Sequence, residues 1–373
     1  MIPAYKYFFP EKTIQWISDT ISELLTSGSY LTMGKYCEMF EEEFAKKTKT
    51  KYAVSVSSGI AAIEVALRSK GIHDGEIILP TNTFGATSLA VVNSGATPVY
   101  CDISNDMNLD FVDIKKRLTN KTKAIMPVHI GGIISNSILE IKDYCKSNNL
   151  LMIEDAAHAH GSMFDKFAAG SIGDAGCFSF FPTKVMTTGE GGMMTTSDSE
   201  TYQLACNIRN YNKINGSEIT SLGYNWRLSE FQAVVGVAQM MILEENLQKR
   251  RKAAQIYDDL LKSNKFFHTL EFNEKCVPSY YKYIVLVPKG KNIREFQKIL
   301  KEKYKVELGG FVYDIPLHRQ KLFGKYAFDK NSFPISDDLC TRHICLPMYP
   351  QITKEEISHV VDSINSAGKD LGW

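Results

Sequence analysis

The sequence predicts an α/β fold, in which a large domain with a mainly parallel seven-stranded sheet flanked by helices is followed by a small C-terminal α+β domain. Short apolar, β-branched runs alternate with segments of helical period between residues 50 and 200, as in βαβ units. A long helical segment then covers 229–262, and shorter strand and helix patterns follow it. The 373 residues, 44% of them hydrophobic, are enough for one large core and a smaller one.

The strands of the large sheet are predicted where apolar runs rich in β-branched residues end at turn residues. These runs are 52–56, 76–79, 97–101, 124–128, 150–153, 175–179 and 192–195. Helical periodicity predicts helices at 59–70, 137–148 and 201–210, and beyond the long segment a strand at 283–288 and helices at 293–304 and 353–367. We expect the long segment to connect the large domain, residues 1–245, to the small domain, residues 246–373.

Composition narrows the classes of function. The charges of the 43 basic and 42 acidic residues nearly cancel, and these residues form no long run of one sign. We therefore expect the protein to bind neither nucleic acid nor an anionic membrane surface. The eight cysteines are scattered and no His/Cys cluster has metal-ligand spacing, which favours free thiols in a reducing compartment and no metal site. No apolar run is long enough for a signal sequence or a membrane span, so we expect a cytoplasmic protein.

Two charged residues stand in apolar sequence. Lys184 follows the aromatic run 178–182 and precedes the glycine-rich turn 187–192, while Asp155 ends an apolar strand. Open α/β sheets bind their ligands at that edge. The ordinary alternatives are a surface lysine and an aspartate that caps a helix. Together the two residues favour pyridoxal phosphate (PLP), because the lysine can form the Schiff base and the carboxylate can pair with the pyridinium nitrogen.

A phosphate site is predicted where a strand, a Ser-Ser-Gly turn and a helix start follow one another. The free N–H groups of Gly59 and Ile60 and the helix dipole favour an anion. Ser58 either contacts that anion or caps the helix, and Ser179 could donate its hydroxyl to the same phosphate.

Two rings are candidates for contacts with the cofactor ring. Phe84 follows a strand and could stack on the pyridine, with a core aromatic as the equally ordinary alternative. His158, three residues after Asp155, could lie near the phenolic oxygen of the ring, although a lone histidine is more often structural.

Taken in order, a series of short motifs resembles the DegT/DnrJ/StrS family of sugar aminotransferases. The motifs are Ser-Ser-Gly-Ile-Ala-Ala (57–62), Pro-Thr-Asn-Thr-Phe-Gly-Ala-Thr (80–87), Pro-Val-His-Ile-Gly-Gly (127–132), Glu-Asp-Ala-Ala-His-Ala-His-Gly (154–161), Cys-Phe-Ser-Phe-Phe-Pro-Thr-Lys (177–184), Thr-Thr-Gly-Glu-Gly-Gly (187–192) and Gly-Tyr-Asn-Trp-Arg (223–227). The resemblance extends to 30–34, 315–318 and 345–350, and so covers nearly the whole chain.

This resemblance implies a fold-type I PLP enzyme that forms a homodimer with active sites at the subunit interface. It implies that Lys184 holds PLP and that Asp155 pairs with its nitrogen. Its phosphate would be held by Ser179 and the amides of Gly59 and Ile60, and by Asn225 from the partner subunit.

The chain departs from the family pattern at two positions. Ile60 stands where a hydroxyl residue is usual, which leaves the phosphate one contact short unless Ser58 compensates. His158 stands where many members have glutamine. Neither departure alters the expected cofactor.

The expected reaction is transamination, in which L-glutamate converts PLP to pyridoxamine phosphate (PMP) and a nucleotide-linked keto sugar takes the amine. The alternatives are a different ketone, such as a cyclitol or a small phosphorylated ketone, a PMP-dependent deoxysugar dehydratase, and a non-catalytic regulatory homologue. The dehydratase branch has histidine where this chain has Lys184, which argues against it.

Substrate selection is expected to depend on the segments 30–34, 207–220 and 313–319. In the last of these, Tyr313, His318 and Arg319 are candidates for contacts with a sugar or a diphosphate, and the arginine could bind a phosphate through two parallel hydrogen bonds. The alternative is a structured surface loop.

Overall fold

The computed structural model describes residues 1–213, 218–329 and 331–373. The helices in these ranges are α1 (Glu11–Thr26), α2 (Lys35–Thr48), α3 (Gly59–Ser69), α4 (Gly85–Ser94), α5 (Phe111–Arg117), α6 (Ile138–Ser147), α7 (Ser199–Ile208), α8 (Glu230–Leu261), α9 (Ile293–Glu302), α10 (Pro334–Thr341) and α11 (Lys354–Asp370). The strands are β1 (Tyr52–Val56), β2 (Glu76–Pro80), β3 (Thr97–Cys101), β4 (Thr122–Ile125), β5 (Leu151–Asp155), β6 (Met163–Phe164), β7 (Phe167–Ala168), β8 (Ala175–Ser179), β9 (Gly192–Thr196), β10 (His268–Thr269), β11 (Cys276–Val277), β12 (Tyr283–Leu286) and β13 (His343–Leu346).

The large sheet has seven strands in the order β1-β9-β8-β5-β4-β2-β3. The pairs β3–β2, β2–β4, β4–β5 and β5–β8 are parallel, whereas β9 runs antiparallel to both of its neighbours. Its strands are apolar runs buried on both faces, as expected of a parallel sheet covered by helices. This architecture confirms the predicted fold class.

The direction of the strands brings separate motifs to one edge of the sheet. β5 and β8 are parallel neighbours, with Asp155 opposite Cys177, so Asp155 and Ser179 end their strands side by side. β1 is antiparallel to β9 and therefore points the same way as β8, which places the start of α3 at the same edge. The carboxyl edge of the sheet is thus where a ligand is expected.

A second layer forms around the antiparallel sheet β10-β12-β13, which packs with α9 and α11. Helix α8 contacts α2 on one side and α11 on the other. Our domain boundary after residue 245 falls inside this helix and stays a prediction. The first residues belong to the second layer, because Ile2 pairs with Val306 and its N–H donates to Lys305.

In the ranges that the structure describes, no helix combines the length and the apolar character needed to cross a bilayer.

Candidate active site

A cavity of about 400 Å³ lies at the carboxyl edge of the large sheet. The predicted site residues that line it are Ser58, Gly59, Ile60, Phe84, Asp155, His158, Ser179, Lys184 and Tyr313. These residues come from five separate parts of the sequence, and the tertiary structure brings them to one place.

Asp155 is buried and oriented by two hydrogen bonds. The hydroxyl of Thr87 donates to its Oδ2 at 2.7 Å, and the N–H of Ala157 donates to its Oδ1 at 3.2 Å. Burial raises the pKa of this carboxyl above its usual value, while these two donors and the charge of Lys184 lower it. A cationic partner in the cavity would favour the ionised carboxylate, as a protonated ring nitrogen does.

Lys184 extends into the cavity with its amine 4.8 Å from the centroid of the Tyr281 ring. Burial is the largest cause that lowers its pKa, from 10.5 to about 8; the charge of Lys282 lowers it further and the charge of Asp155 opposes both. A lysine with this pKa is a nucleophile near neutral pH.

His158 is a neutral hydrogen-bond donor on the wall of the cavity. Burial, followed by the charge of Lys184, lowers its pKa well below the usual value. The N–H of Gly131 donates to its Nδ1 at 3.4 Å, so the ring proton is assigned to Nε2, which donates to the Tyr313 hydroxyl at 3.1 Å. Its ring packs against Tyr281 with centroids 4.3 Å apart.

The opposite part of the cavity can bind an anion. The N–H groups of Gly59 and Ile60 open α3 and have no carbonyl partner within the helix. The Ser58 hydroxyl accepts from the N–H of Ala61 at 3.2 Å, and its own proton remains available to donate to an anion. Ser58 can therefore supply the contact that Ile60 lacks.

Gly59 is required by the close approach of two motifs. A Cβ at this position would lie 2.7 Å from the Cβ of Ser179, closer than two side chains pack. The hydroxyl of Ser179 accepts from the N–H of Phe181 at 3.4 Å and keeps its proton for the same anion.

Phe84 lies at the mouth of the cavity with 63% of its surface exposed, stacked near Tyr313 with ring centroids 6.1 Å apart. A core aromatic, the alternative reading of this residue, would be buried. The exposed face can stack on a planar ligand.

Three predicted site residues lie elsewhere. Asn225 is exposed and pairs with Asn210 in an isolated bridge. His318 is fully buried, bonded to Thr81 at 2.7 Å and to Asp337 at 3.0 Å, and Arg319 makes two hydrogen bonds to the same Asp337. Neither residue lines the cavity, and both are held by Asp337. Contact of either side chain with a substrate stays a prediction.

The segments expected to select the substrate lie in different parts of the structure. Tyr313 lines the cavity, whereas Tyr30, Met33 and Gly34 line a second cavity of about 420 Å³. Part of the segment 207–220, residues 214–217, lies outside the described residues.

Further residues of the cavity escaped the sequence analysis. Thr87 lies in the first turn of α4, three residues after Phe84. It is the last residue of the motif 80–87, so its hydroxyl could have been predicted to lie near the site. Thr183, Tyr281 and Lys282 also line the cavity, and the Thr183 hydroxyl lies 3.0 Å from that of Tyr281. No sequence pattern around Tyr281 and Lys282 links these two residues to the motifs of the large sheet.

This set of groups fits PLP. The cavity presents an amine of lowered pKa, a buried carboxylate, an exposed aromatic face and an anion site built from a helix start and two hydroxyls. The amine can bind the aldehyde of PLP, and the carboxylate can pair with its ring nitrogen. The anion site can bind its phosphate.

Comparisons with known proteins show the family to which the chain belongs. The sequence model of the DegT/DnrJ/EryC1/StrS aminotransferase family matches residues 12–365 of this chain. The chain is 31% identical to GDP-perosamine synthase of Escherichia coli O157:H7, over 99% of both chains. It is 34% identical to dTDP-3-amino-3,6-dideoxy-alpha-D-galactopyranose transaminase of Aneurinibacillus thermoaerophilus, over 94% of this chain and 95% of that one.

The fold is also that of a solved enzyme. The structure of S. venezuelae DesV in complex with a ketimine intermediate superimposes with a TM-score of 0.91, at 28% identity and over 98% of both chains. Similar folds have been solved in PLP and PMP forms. The chain therefore belongs to the DegT/DnrJ/EryC1/StrS family and is a PLP-dependent aminotransferase.

Proposed function

We propose that this aminotransferase transfers the amino group of L-glutamate to the keto group of a nucleotide-linked keto sugar, in the biosynthesis of an amino sugar for a surface polysaccharide or a secondary metabolite. The observation that carries the proposal is the amine of Lys184 in one cavity with Asp155 and an anion site. The acceptor class is supported by full-length similarity to enzymes named for GDP- and dTDP-linked amino sugars.

Lys184 acts as nucleophile and as proton carrier. With its pKa lowered from 10.5 to about 8, a much larger fraction of the amine is neutral at pH 7 than for an unperturbed lysine. When bound, PLP supplies the aldehyde to which the amine attaches and a ring that withdraws electrons from the substrate carbon. In its free form, the Lys184 amine would take the proton from that carbon and return it.

The residues around Lys184 orient and tune the site. The carboxylate of Asp155, held by Thr87 and by the backbone, is placed to keep the ring nitrogen protonated. The proton on His158 Nε2 is directed to Tyr313, which fixes the hydroxyl of that tyrosine at the cavity wall. The exposed face of Phe84, which lines the cavity, can stack on the ring of the cofactor.

The experiment that tests the substrate class is a screen with the purified holoenzyme. Keto sugars linked to UDP, dTDP, GDP and CDP are incubated with L-glutamate, and the products are read by mass spectrometry. We expect one nucleotide class to gain an amino group. Amination of a cyclitol or a small phosphorylated ketone, with all four nucleotide classes unchanged, would contradict the proposal.

We also propose a cytoplasmic homodimer in which Asn225 contributes to the active site of the partner subunit. The exposed position of Asn225, away from the cavity of its own chain, supports this role. All eight cysteines are free, which is typical of a reducing compartment. Inactive Lys184→Ala and Asn225→Ala proteins, unfolded and refolded together, should regain activity, because a mixed dimer has one intact site. Failure of the mixture to regain activity would contradict the shared site.

A further inference from the structure

The cavity contains a second cation that the reaction described above does not use. Among the described residues that line it, ammonium groups belong to Lys184 and to Lys282. Their nitrogens lie 4.8 and 5.3 Å from the centroid of the same Tyr281 ring, so the two charges are within about 10 Å of each other. Two like charges this close disfavour each other unless an anion lies between them.

The backbone of Lys282 is held by the short helical turn Ile130–Gly132, which follows β4. Its N–H donates to the carbonyl of Gly131 at 3.2 Å, in the segment that also donates to His158. Tyr280, two residues earlier, has a φ of 50°, a left-handed conformation that is costly for a large side chain. Such strain persists where the surrounding structure fixes it, often at a functional site.

The ammonium of Lys282 has capacity left for a ligand. It donates one hydrogen bond, to the carbonyl of Gly309 at 3.1 Å, and an ammonium has three protons to donate. In the part of the chain that the structure describes, no carboxylate lies within ion-pair distance of Lys282. Its side chain is half-buried, so its charge is only partly solvated.

We propose that Lys282 binds an oxyanion of the substrate, above all a carboxylate of the amino donor. The proposal rests on the function proposed above. In an α-amino acid the carboxylate carbon lies about 2.5 Å from the amino nitrogen. A donor whose nitrogen reaches the reacting centre beside Lys184 therefore has a carboxylate within a few Å of that centre, in the cavity that Lys282 also lines. The diphosphate of the nucleotide-linked acceptor is the other oxyanion that Lys282 could bind.

The test compares Lys282→Met, which keeps the length of the side chain and removes the charge, with Lys282→Arg, which keeps the charge. Lys298→Met, at an exposed position on α9, is the matched control for loss of a lysine. KM is measured for L-glutamate and for the keto sugar. Binding of glutarate and of pyrophosphate to the holoenzyme is measured by calorimetry.

If the donor carboxylate is the ligand, Lys282→Met raises KM for L-glutamate about 10- to 100-fold and weakens glutarate binding equally, because a charge-assisted hydrogen bond is lost. Lys282→Arg stays within about threefold of wild type. If the diphosphate is the ligand, KM for the keto sugar and pyrophosphate binding change instead. Lys282→Gln repeats the test should the methionine variant fail to fold.

The inference is overturned if Lys282→Met leaves both KM values and both binding constants within about twofold of wild type. Its failure is distinct from failure of the proposed function. An unmodified enzyme that does not form PMP from L-glutamate would refute the proposed donor, whereas the two calorimetric measurements would still report whether Lys282 binds oxyanions.

Discussion

Thr87→Val tests whether the hydrogen bonds to Asp155 tune the active site. The Thr87 hydroxyl lies 2.7 Å from Asp155 and 2.8 Å from the hydroxyl of Thr83. An ionised carboxylate only accepts, so Thr87 donates to Asp155 and accepts from Thr83. Valine keeps the shape and removes both bonds, which leaves Asp155 with the weaker bond from Ala157 at 3.2 Å.

The size of the effect follows from the loss of a hydrogen bond to a charged group, which is worth roughly 1.5–3 kcal/mol, or about 10- to 100-fold. Burial already raises the pKa of Asp155, and removal of a donor that lowers it raises it further. Because the reaction needs the ionised carboxylate, the acid limb of kcat against pH moves to higher pH. On that acid limb, kcat falls by about tenfold or more.

The assay is the pH profile of kcat with saturating substrates, for wild type, Thr87→Val and Thr87→Ser. The serine variant keeps the hydroxyl and should keep the wild-type acid limb. An acid limb that is the same in all three proteins would refute the role that we assign to this hydroxyl.

Three further predictions test other parts of the site. Gly59→Ala places a Cβ 2.7 Å from that of Ser179, at a cost of about 1–3 kcal/mol; we expect PLP to bind about tenfold more weakly by fluorescence titration, and an unchanged Kd would contradict the packing argument. The rate at which the apoenzyme attaches PLP should rise with pH and level off above about 8, since the amine of Lys184 must be neutral; a midpoint near 10.5 would show an unperturbed lysine. His318→Ala removes a fully buried ring that is stacked on Phe333 and should lower the free energy of unfolding by roughly 2–4 kcal/mol in denaturant titrations. A stable variant with a selective rise in KM for the sugar would contradict this structural role and support the predicted substrate contact.

The sheet was predictable because its strands are local patterns. The run at 76–80 is apolar, β-branched and bounded by polar residues, and its burial in the structure follows from that composition. Helix α4 was not predicted. Its sequence, Gly-Ala-Thr-Ser-Leu-Ala-Val-Val-Asn-Ser, is rich in residues of low helix propensity, and the helix forms because it packs against α3.

The residues of the site also divide into those that a local sequence pattern indicates and those that only the tertiary structure brings there. Lys184 and Asp155 were found because each carries its own local context, an aromatic run or an apolar strand that ends in a charge. Lys282 carries no such context, and tertiary contacts, among them its backbone bond to Gly131, bring it to the cavity. The sequence also does not reveal that Asp337 forms hydrogen bonds with both His318 and Arg319, since the three residues are separated in the chain.

The central claim, that Lys184 carries the cofactor and drives amino transfer, is tested most directly by borohydride reduction of the holoenzyme followed by peptide mass spectrometry. We expect the mass of reduced PLP on Lys184, and we expect Lys184→Ala to lose both this label and the conversion of L-glutamate. A label on Lys282, the other ammonium in the cavity, or a Lys184→Ala protein that transaminates near the wild-type rate would contradict the account.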